Sequence, residues 1–266
     1  MKKIYKRERE REREKVEGEF LLKKFNTSLT PLLKKKKVFF QKLKKYIFNP
    51  SLILQRIKYE FIKSNIEIDW EERTKNLQTS AVLSKKYNKS EYKKIDSIQK
   101  KILYKILKSK IKKNYKILDF GCGAGRFSDF FTKGLKAQYF GVDSSISLLK
   151  FKKEQKNQKF MHLTNFLNNQ KYAKFFDVVF IFTVLGGIPN KKINVTKEII
   201  YKTIKNSGFL FFVELVKETT LEGPWRYRTI NFYKTLFKEF KINSNFYFLQ
   251  DNDEYRIFFG KKIYKC

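Results

Sequence analysis

Cysteine and histidine are nearly missing from this chain. Two cysteines, Cys122 and Cys266, and one histidine, His162, are all it contains. Two isolated cysteines build no disulfide framework, which fits a reducing compartment. With a single histidine there is no ligand set for zinc, so no metal site is expected. Proline (4) and glycine (11) are scarce as well, which excludes a low-complexity chain built on either. Long apolar runs are absent: none approaches the roughly 20 residues that a spanning helix needs. The first twenty residues are mostly charged, so no secretory leader is expected and the expected location is cytoplasmic.

Acids are the last shortage. Asp and Glu number 26 against 60 Lys and Arg, a formal charge of +34. An excess of that size is a footprint of nucleic-acid binding. Two features argue for another origin. The lysines scatter along the chain instead of condensing into one stripe. Lys, Asn, Ile, Phe and Tyr are abundant together, and all are encoded by A/T-rich codons. Nucleic acid stays open as the second choice of partner.

The N-terminal quarter has its own character. Residues 7–14 are four Arg-Glu pairs in succession. In a helix, strict alternation sets like charges at i,i+4 against opposite charges at i,i+3, and the two nearly cancel. Residues 1–19 are therefore expected to be a solvated, disordered tail. Residues 20–63 carry Lys34–Lys37, Lys42, Lys44 and Lys45 among Val38-Phe39-Phe40, Ile47-Phe48 and Leu52-Ile53-Leu54. Two readings stay open for this segment. It lies on an anionic membrane surface at the inner face, or it forms helices packed on the rest of the chain. The expected division is a basic, mainly helical extension over 1–70 and a catalytic domain over 71–266.

The most informative stretch is Ile117-Leu118-Asp119-Phe120-Gly121-Cys122-Gly123-Ala124-Gly125. A short apolar strand ends in an acid, three glycines alternate, and Arg126–Lys133 can continue as a helix. Such a turn brings bare backbone close to a ligand, because no Cβ blocks the approach. A dinucleotide loop would place its third glycine at 126, where Arg126 stands. The pattern Asp-x-Gly-x-Gly-x-Gly instead resembles the first motif of class I S-adenosylmethionine (SAM) methyltransferases. A second strand, Gln138–Val142, follows with Asp143 at its end, where a carboxylate can accept two hydrogen bonds from ribose hydroxyls.

The resemblance runs over roughly residues 95–266. It implies an α/β fold: a Rossmann-like seven-stranded sheet with helices on both faces and SAM as cofactor. Phe160–Leu163, Phe176–Phe182 and Gly208–Val216 match the third to fifth strands. Thr229–Phe240 reads as a helix. Ile242–Leu249 and Tyr255–Ile263, with Asp251-Asn252-Asp253 between them, match the antiparallel pair that closes the family's sheet. The implied cofactor residues are Asp119, Gly121, Gly123, Gly125, Asp143 and Ser144, with Asn165 at the adenine amino group, Phe166 stacked on adenine and Phe182 at the end of the fourth strand.

In many relatives that act on small molecules, the loop after the fourth strand holds a histidine. Here the place holds Gly186 and Gly187, so that base is missing. Glu214, near the ligand edge of the fifth strand, is the candidate general base. Trp225, Arg226 and Arg228, before the next helix, are candidates for gripping the acceptor through guanidinium groups and an aromatic face. The segment Lys42–Leu52 resembles stretches beside capsule and lipopolysaccharide enzymes. The expected activity is O-methylation of a sugar or glycan intermediate, or a related small metabolite. An RNA methyltransferase and a non-catalytic SAM-binding protein are the alternatives.

Overall fold

The computed structural model describes residues 66–77, 88–217 and 225–263. All belong to one compact unit, Glu60–Cys266. The Arg-Glu tract, the basic segment 20–63, residues 222–224 and Cys266 lie outside the described residues.

Helix α1 (Trp70–Leu77) precedes α2 (Lys89–Leu107). Seven strands then build one sheet: β1 (Lys116–Phe120), β2 (Gln138–Asp143), β3 (Gln158–His162), β4 (Phe176–Phe182), β5 (Ile204–Leu215), β6 (Phe240–Gln250) and β7 (Asp253–Lys262), in the order β3-β2-β1-β4-β5-β7-β6. The first five are parallel, and β7 runs antiparallel between β5 and β6. Short helices α3 (Ile146–Leu149) and α4 (Leu163–Leu167) follow β2 and β3, α5 (Asn190–Thr203) joins β4 to β5, and α6 (Ile230–Leu236) leads into β6. This is the Rossmann-like methyltransferase fold that the glycine motif implies.

The apolar runs that mark the central strands have a simple cause. Along β4, Val179 and Ile181 enter one core cluster while Val178 and Phe180 enter the other, and β5 divides Leu210 and Phe212 from Phe211 and Val213 in the same way. A strand covered on both faces has no polar side to alternate with. One face lies under α2 through Leu103 and Leu107, together with Phe127 and Phe131. The other lies under α5 through Ile193 and Ile200, and under α6 through Tyr233 and Leu236. Phe212 and Phe258 stack across β5 and β7 with ring centroids 4.4 Å apart.

Local chemistry fixes the ends. Asn88 caps α2, accepting from the N–H groups of Ser90 and Glu91, while the Glu91 carboxylate accepts from the Asn88 N–H at 2.9 Å. Thr229 caps α6 by accepting from the Phe232 N–H at 3.1 Å. Asp251 and Asn252, with φ of 51° and 65°, form the two-residue turn between β6 and β7, the geometry that suits the twist of a hairpin.

Three elements differ from the sequence reading. The helix read over Thr229–Phe240 ends at Leu236, and Phe240 already opens β6. The helix expected over Arg126–Lys133 is cut down: turns reach Phe127, and helix starts at 128 and widens into a π-turn at Phe130–Gly134. The third strand ends at His162, and Leu163 already opens α4. Residues 66–70, placed in the extension by composition, make contacts inside this unit, as described below. No helix among the described residues is long and apolar enough to cross a membrane.

Candidate active site

Strand order reverses between β1 and β4, so the crevice of this sheet opens at their C-terminal ends. The glycine loop fills that position. Gly121, Gly123 and Gly125 have φ of 80°, 54° and 73°, the left-handed region that side chains resist. Space is equally restrictive: a Cβ on Gly121 would lie 2.5 Å from Val184, and one on Gly125 would lie 2.7 Å from Phe160. The loop is tied down by the N–H groups of Gly121 and Cys122, which both donate to the Val142 carbonyl at 2.8 and 3.0 Å.

Two carboxylates flank it. Asp143, the last residue of β2, accepts from the Gly123 N–H at 2.7 Å and from the Ser145 N–H at 2.9 Å. Burial raises its carboxyl above the usual range, against the pull of these backbone bonds. A carboxylate offers about four acceptor positions, and backbone N–H groups of Gly123, Ser144 and Ser145 all act on this one. Asp119 lies deeper, 2% exposed, and accepts from the Tyr139 hydroxyl at 2.7 Å. Burial lifts its carboxyl to about 7, with the tyrosine bond opposing. Asp119 thus braces the floor of the loop from within.

Glu214 requires a correction. It is fully buried, and its oxygens accept from three successive backbone N–H groups of the loop after β4: Val184 at 2.8 Å, Leu185 at 2.6 Å and Gly186 at 3.4 Å. Burial lifts its carboxyl to about 7, opposed by those bonds and by the charge of Arg228. A group enclosed this way and committed to the backbone does not face an acceptor, so it is a positioning residue and not a base.

Arg226 and Arg228 are corrected likewise. Arg228 donates to the carbonyls of Leu185 (2.6 Å) and Ile188 (2.8 Å) and to the Asn190 side chain (2.8 Å). Arg226 donates through its backbone N–H to the Gly186 carbonyl (2.8 Å) and through its guanidinium to the carbonyls of Gly187 (3.3 Å) and Ile66. Both are buried, at 2% and 6% exposure. The loop is therefore clamped from two sides, its N–H groups by Glu214 and its carbonyls by two arginines. Thr183, at the start of that loop, has φ of 52°, a strained value for a β-branched residue.

Trp225 lies beside the loop after β4 and is partly exposed. Its indole lies flat on Gly186, where a Cβ would approach to 2.5 Å, and next to Gly187, whose position also faces Trp70 at 3.7 Å. The glycines in the histidine's place make room for two tryptophans. Phe166 is corrected: it is 2% exposed and stacked on Tyr172 at 5.2 Å inside the core, so its ring is not free for adenine. Asn165 and Ser144 are exposed, and the Ser144 carbonyl lies 3.0 Å from His162 Nε2. Phe182 is half-buried, with the Arg126 guanidinium 4.6 Å from its ring centroid.

Two contributions were not anticipated from sequence. Arg126 sits between the rings of Phe127 and Phe182, forms an ion pair with Asp96 at 2.8 Å and donates to Gln99 and Tyr92, joining α2 to the glycine loop. Its only signal was its place directly after the third glycine. The segment Ile66–Leu77 spans the mouth: Glu67 meets Lys192 at 2.8 Å, Arg226 holds the Ile66 carbonyl, and Glu71 accepts from the Ser147 N–H at 3.2 Å after β2. The one hint was Trp70, since the chain has just two tryptophans and both lie here.

A parallel sheet with this switch point, a positive-φ glycine loop and an acid ending the next strand defines a class I methyltransferase. A profile of the methyltransferase domain family matches residues 111–253, more than half of the chain, and the chain belongs to that family. Among solved structures it is similar to a SAM-dependent methyltransferase from Archaeoglobus fulgidus, with 16% identity over 62% of this chain and 94% of that one and a TM-score of 0.51. It is similar to a DhpI complex with S-adenosylhomocysteine at 14% identity, 78% and 99% coverage and TM-score 0.55. It is also similar to phosphoethanolamine N-methyltransferase 1 of Haemonchus contortus, determined with phosphoethanolamine and S-adenosylhomocysteine, at 13% identity, 73% and 47% coverage and TM-score 0.56. The chain spans about half the length of the Haemonchus contortus enzymes it matches. No curated protein matches its sequence. At these identities the likeness concerns the fold.

Proposed function

We propose that this methyltransferase methylates a hydroxyl of a sugar, a glycan intermediate or a related small metabolite. Its cofactor is S-adenosyl-L-methionine, which supplies a methyl group on a sulfonium centre. The glycine cradle takes the cofactor's backbone approach at Gly121, Gly123 and Gly125, and Asp143 accepts from its ribose hydroxyls. Ser144 and Asn165 line the exposed side toward the nucleoside, and Phe182 borders the pocket beside Arg126.

The observation that carries the acceptor reading is the pair of indoles, Trp70 and Trp225, against Gly186 and Gly187 at the mouth. Partly exposed indole rings suit the apolar face of a sugar. The chain's own part in the chemistry is to hold and to exclude. The clamped loop sets the acceptor's position against the cofactor, where restricted geometry accounts for much of the acceleration. The acceptor's proton leaves to solvent or to a group of the acceptor complex, since Glu214 is committed to the loop.

Incubation with methyl-labelled SAM and separate panels of sugar phosphates, nucleotide sugars and RNA tests the reading. Label in an alkali-stable ether on a sugar is the expected result. Label in RNA alone, or tight S-adenosylhomocysteine binding with no product from any panel, would overturn it.

A further inference from the structure

The sheet's two edges carry opposite charge. At the C-terminal edge, β1, β2 and β5 finish on or near Asp119, Asp143 and Glu214, and β7 begins with Asp253 and Glu254. At the other edge, an exposed lysine stands at the end of every strand. Lys156 precedes β3, Lys136 precedes β2 and Lys113 precedes β1. Lys174 precedes β4, Lys202 precedes β5, and Lys241 opens β6 opposite Lys261 of β7.

Backbone contacts make this one continuous face. The Asn114 N–H donates to the Lys136 carbonyl at 2.9 Å, and the Lys174 N–H donates to the Lys202 carbonyl at 2.8 Å. The charge of Lys174 helps push the ammonium of Lys262 below its ordinary value, after burial. Two acids are set into this edge, and both are already paired, Asp177 with Lys205 at 2.6 Å and Glu239 with Lys197 at 2.9 Å. With strands about 4.8 Å apart, seven strand ends span about 30 Å.

We infer that this edge is a docking face for an anionic lipid surface. Two observations favour lipid over nucleic acid. The aromatic rings there are capped by lysines, Lys116 lying 3.9 Å from the Phe175 centroid and Lys262 lying 3.8 Å from the Tyr201 centroid, so they do not offer the stacking platforms on which single strands depend. Finally, the face is a strand's length, roughly 20 Å, from the glycine loop. A nucleic-acid substrate bound there would not bring a base to the cofactor, whereas a membrane bound there leaves the mouth free.

The test uses the full chain, because its N-terminal segment is also basic, and compares two variants of equal charge. One replaces Lys113, Lys136, Lys174 and Lys202 with Glu; the other replaces the exposed Lys93, Lys94, Lys150 and Lys234 with Glu. Co-sedimentation with phosphatidylcholine vesicles containing about 30% phosphatidylglycerol, at about 0.1 M salt, reads the affinity. Circular dichroism and S-adenosylhomocysteine binding confirm that each variant is folded. The edge variant is expected to lose at least about tenfold in vesicle affinity and the control variant less than about threefold. Equal losses in the two variants, or wild-type binding to RNA but not to vesicles, would overturn the inference.

Discussion

Glu214 shows how a buried charge can serve a loop instead of a reaction. Its carboxyl and that of Asp119 are both lifted to about 7 by burial, while in the unfolded chain they titrate near 4. The sign follows from proton uptake. Between about pH 4 and 7 the folded protein keeps two protons that the unfolded chain releases, so this contribution to stability is full below the unfolded values and is lost as pH rises toward 7. Glu214→Gln removes one of the two. The glutamine oxygen can still accept from Val184 and Leu185, while its amide nitrogen meets the Gly186 N–H. In urea unfolding, the variant's stability should fall by about 3 kcal/mol less than wild type between pH 4.5 and 7.5, and an unchanged slope would remove the charge assignment. Asp143→Ala acts on the cofactor. It strands the N–H groups of Gly123 and Ser145 and removes the acceptor for the ribose, so calorimetry should show S-adenosylhomocysteine binding weakened by about a hundredfold. Sequence made Asp119 and Asp143 legible because they lie at the ends of strands beside the glycine loop. It misled at Glu214, Arg226 and Arg228, because a charge near the ligand edge looks the same in a sequence whether it meets a substrate or a backbone.

The loop between β4 and α5 is the element on which this site turns. Strand-end strain at Thr183, the Glu214 carboxylate below and the two arginines beyond give it one conformation, and that conformation presses Val184 against Gly121 and Gly186 against Trp225. Gly186→Ala would put a methyl group 2.5 Å from the indole, and the ring, at the mouth, would have to turn. Steady-state kinetics should then show the acceptor KM raised about tenfold or more, the loss of one good apolar contact surface, with S-adenosylhomocysteine affinity within about twofold of wild type. A fall in cofactor affinity alone would place Trp225 outside the acceptor's reach. The strands were legible because apolar runs such as Val178–Phe182 are long enough to be seen. The turn after the glycines was not: nothing in Phe127–Lys133 announces a π-turn, which arises where Phe127, Phe130 and Phe131 crowd against one another and against Phe180. The segment over the mouth was invisible for another reason. Its contacts join residues far apart in the chain, by 160 positions for Ile66 and Arg226, and local pattern does not encode such pairings.

At the scale of the whole molecule, composition and function separate. A formal charge of +34 says little about the cofactor site, where the groups that count are two buried acids and backbone N–H groups. A row of exposed lysines lies at the strand ends away from the glycine loop, so electrostatics and cofactor binding should respond differently to salt. S-adenosylhomocysteine is zwitterionic, and in the proposed placement hydrogen bonds and shape would hold it, with little counterion release. A ligand at a hundred times its Kd stabilises the folded state by about 2.7 kcal/mol. For a unit of this size, at about 2–4 °C per kcal/mol, the melting temperature should rise by about 5–10 °C. Raising salt from about 0.05 to 0.3 M should leave that rise within about 2 °C, although vesicle binding falls steeply over the same interval. A thermal shift that disappears with salt would mean that the ligand is gripped by long-range charge. Arg126, whose guanidinium lies against Phe182, and Lys152, whose side chain packs near Gly125, would then be the groups to examine.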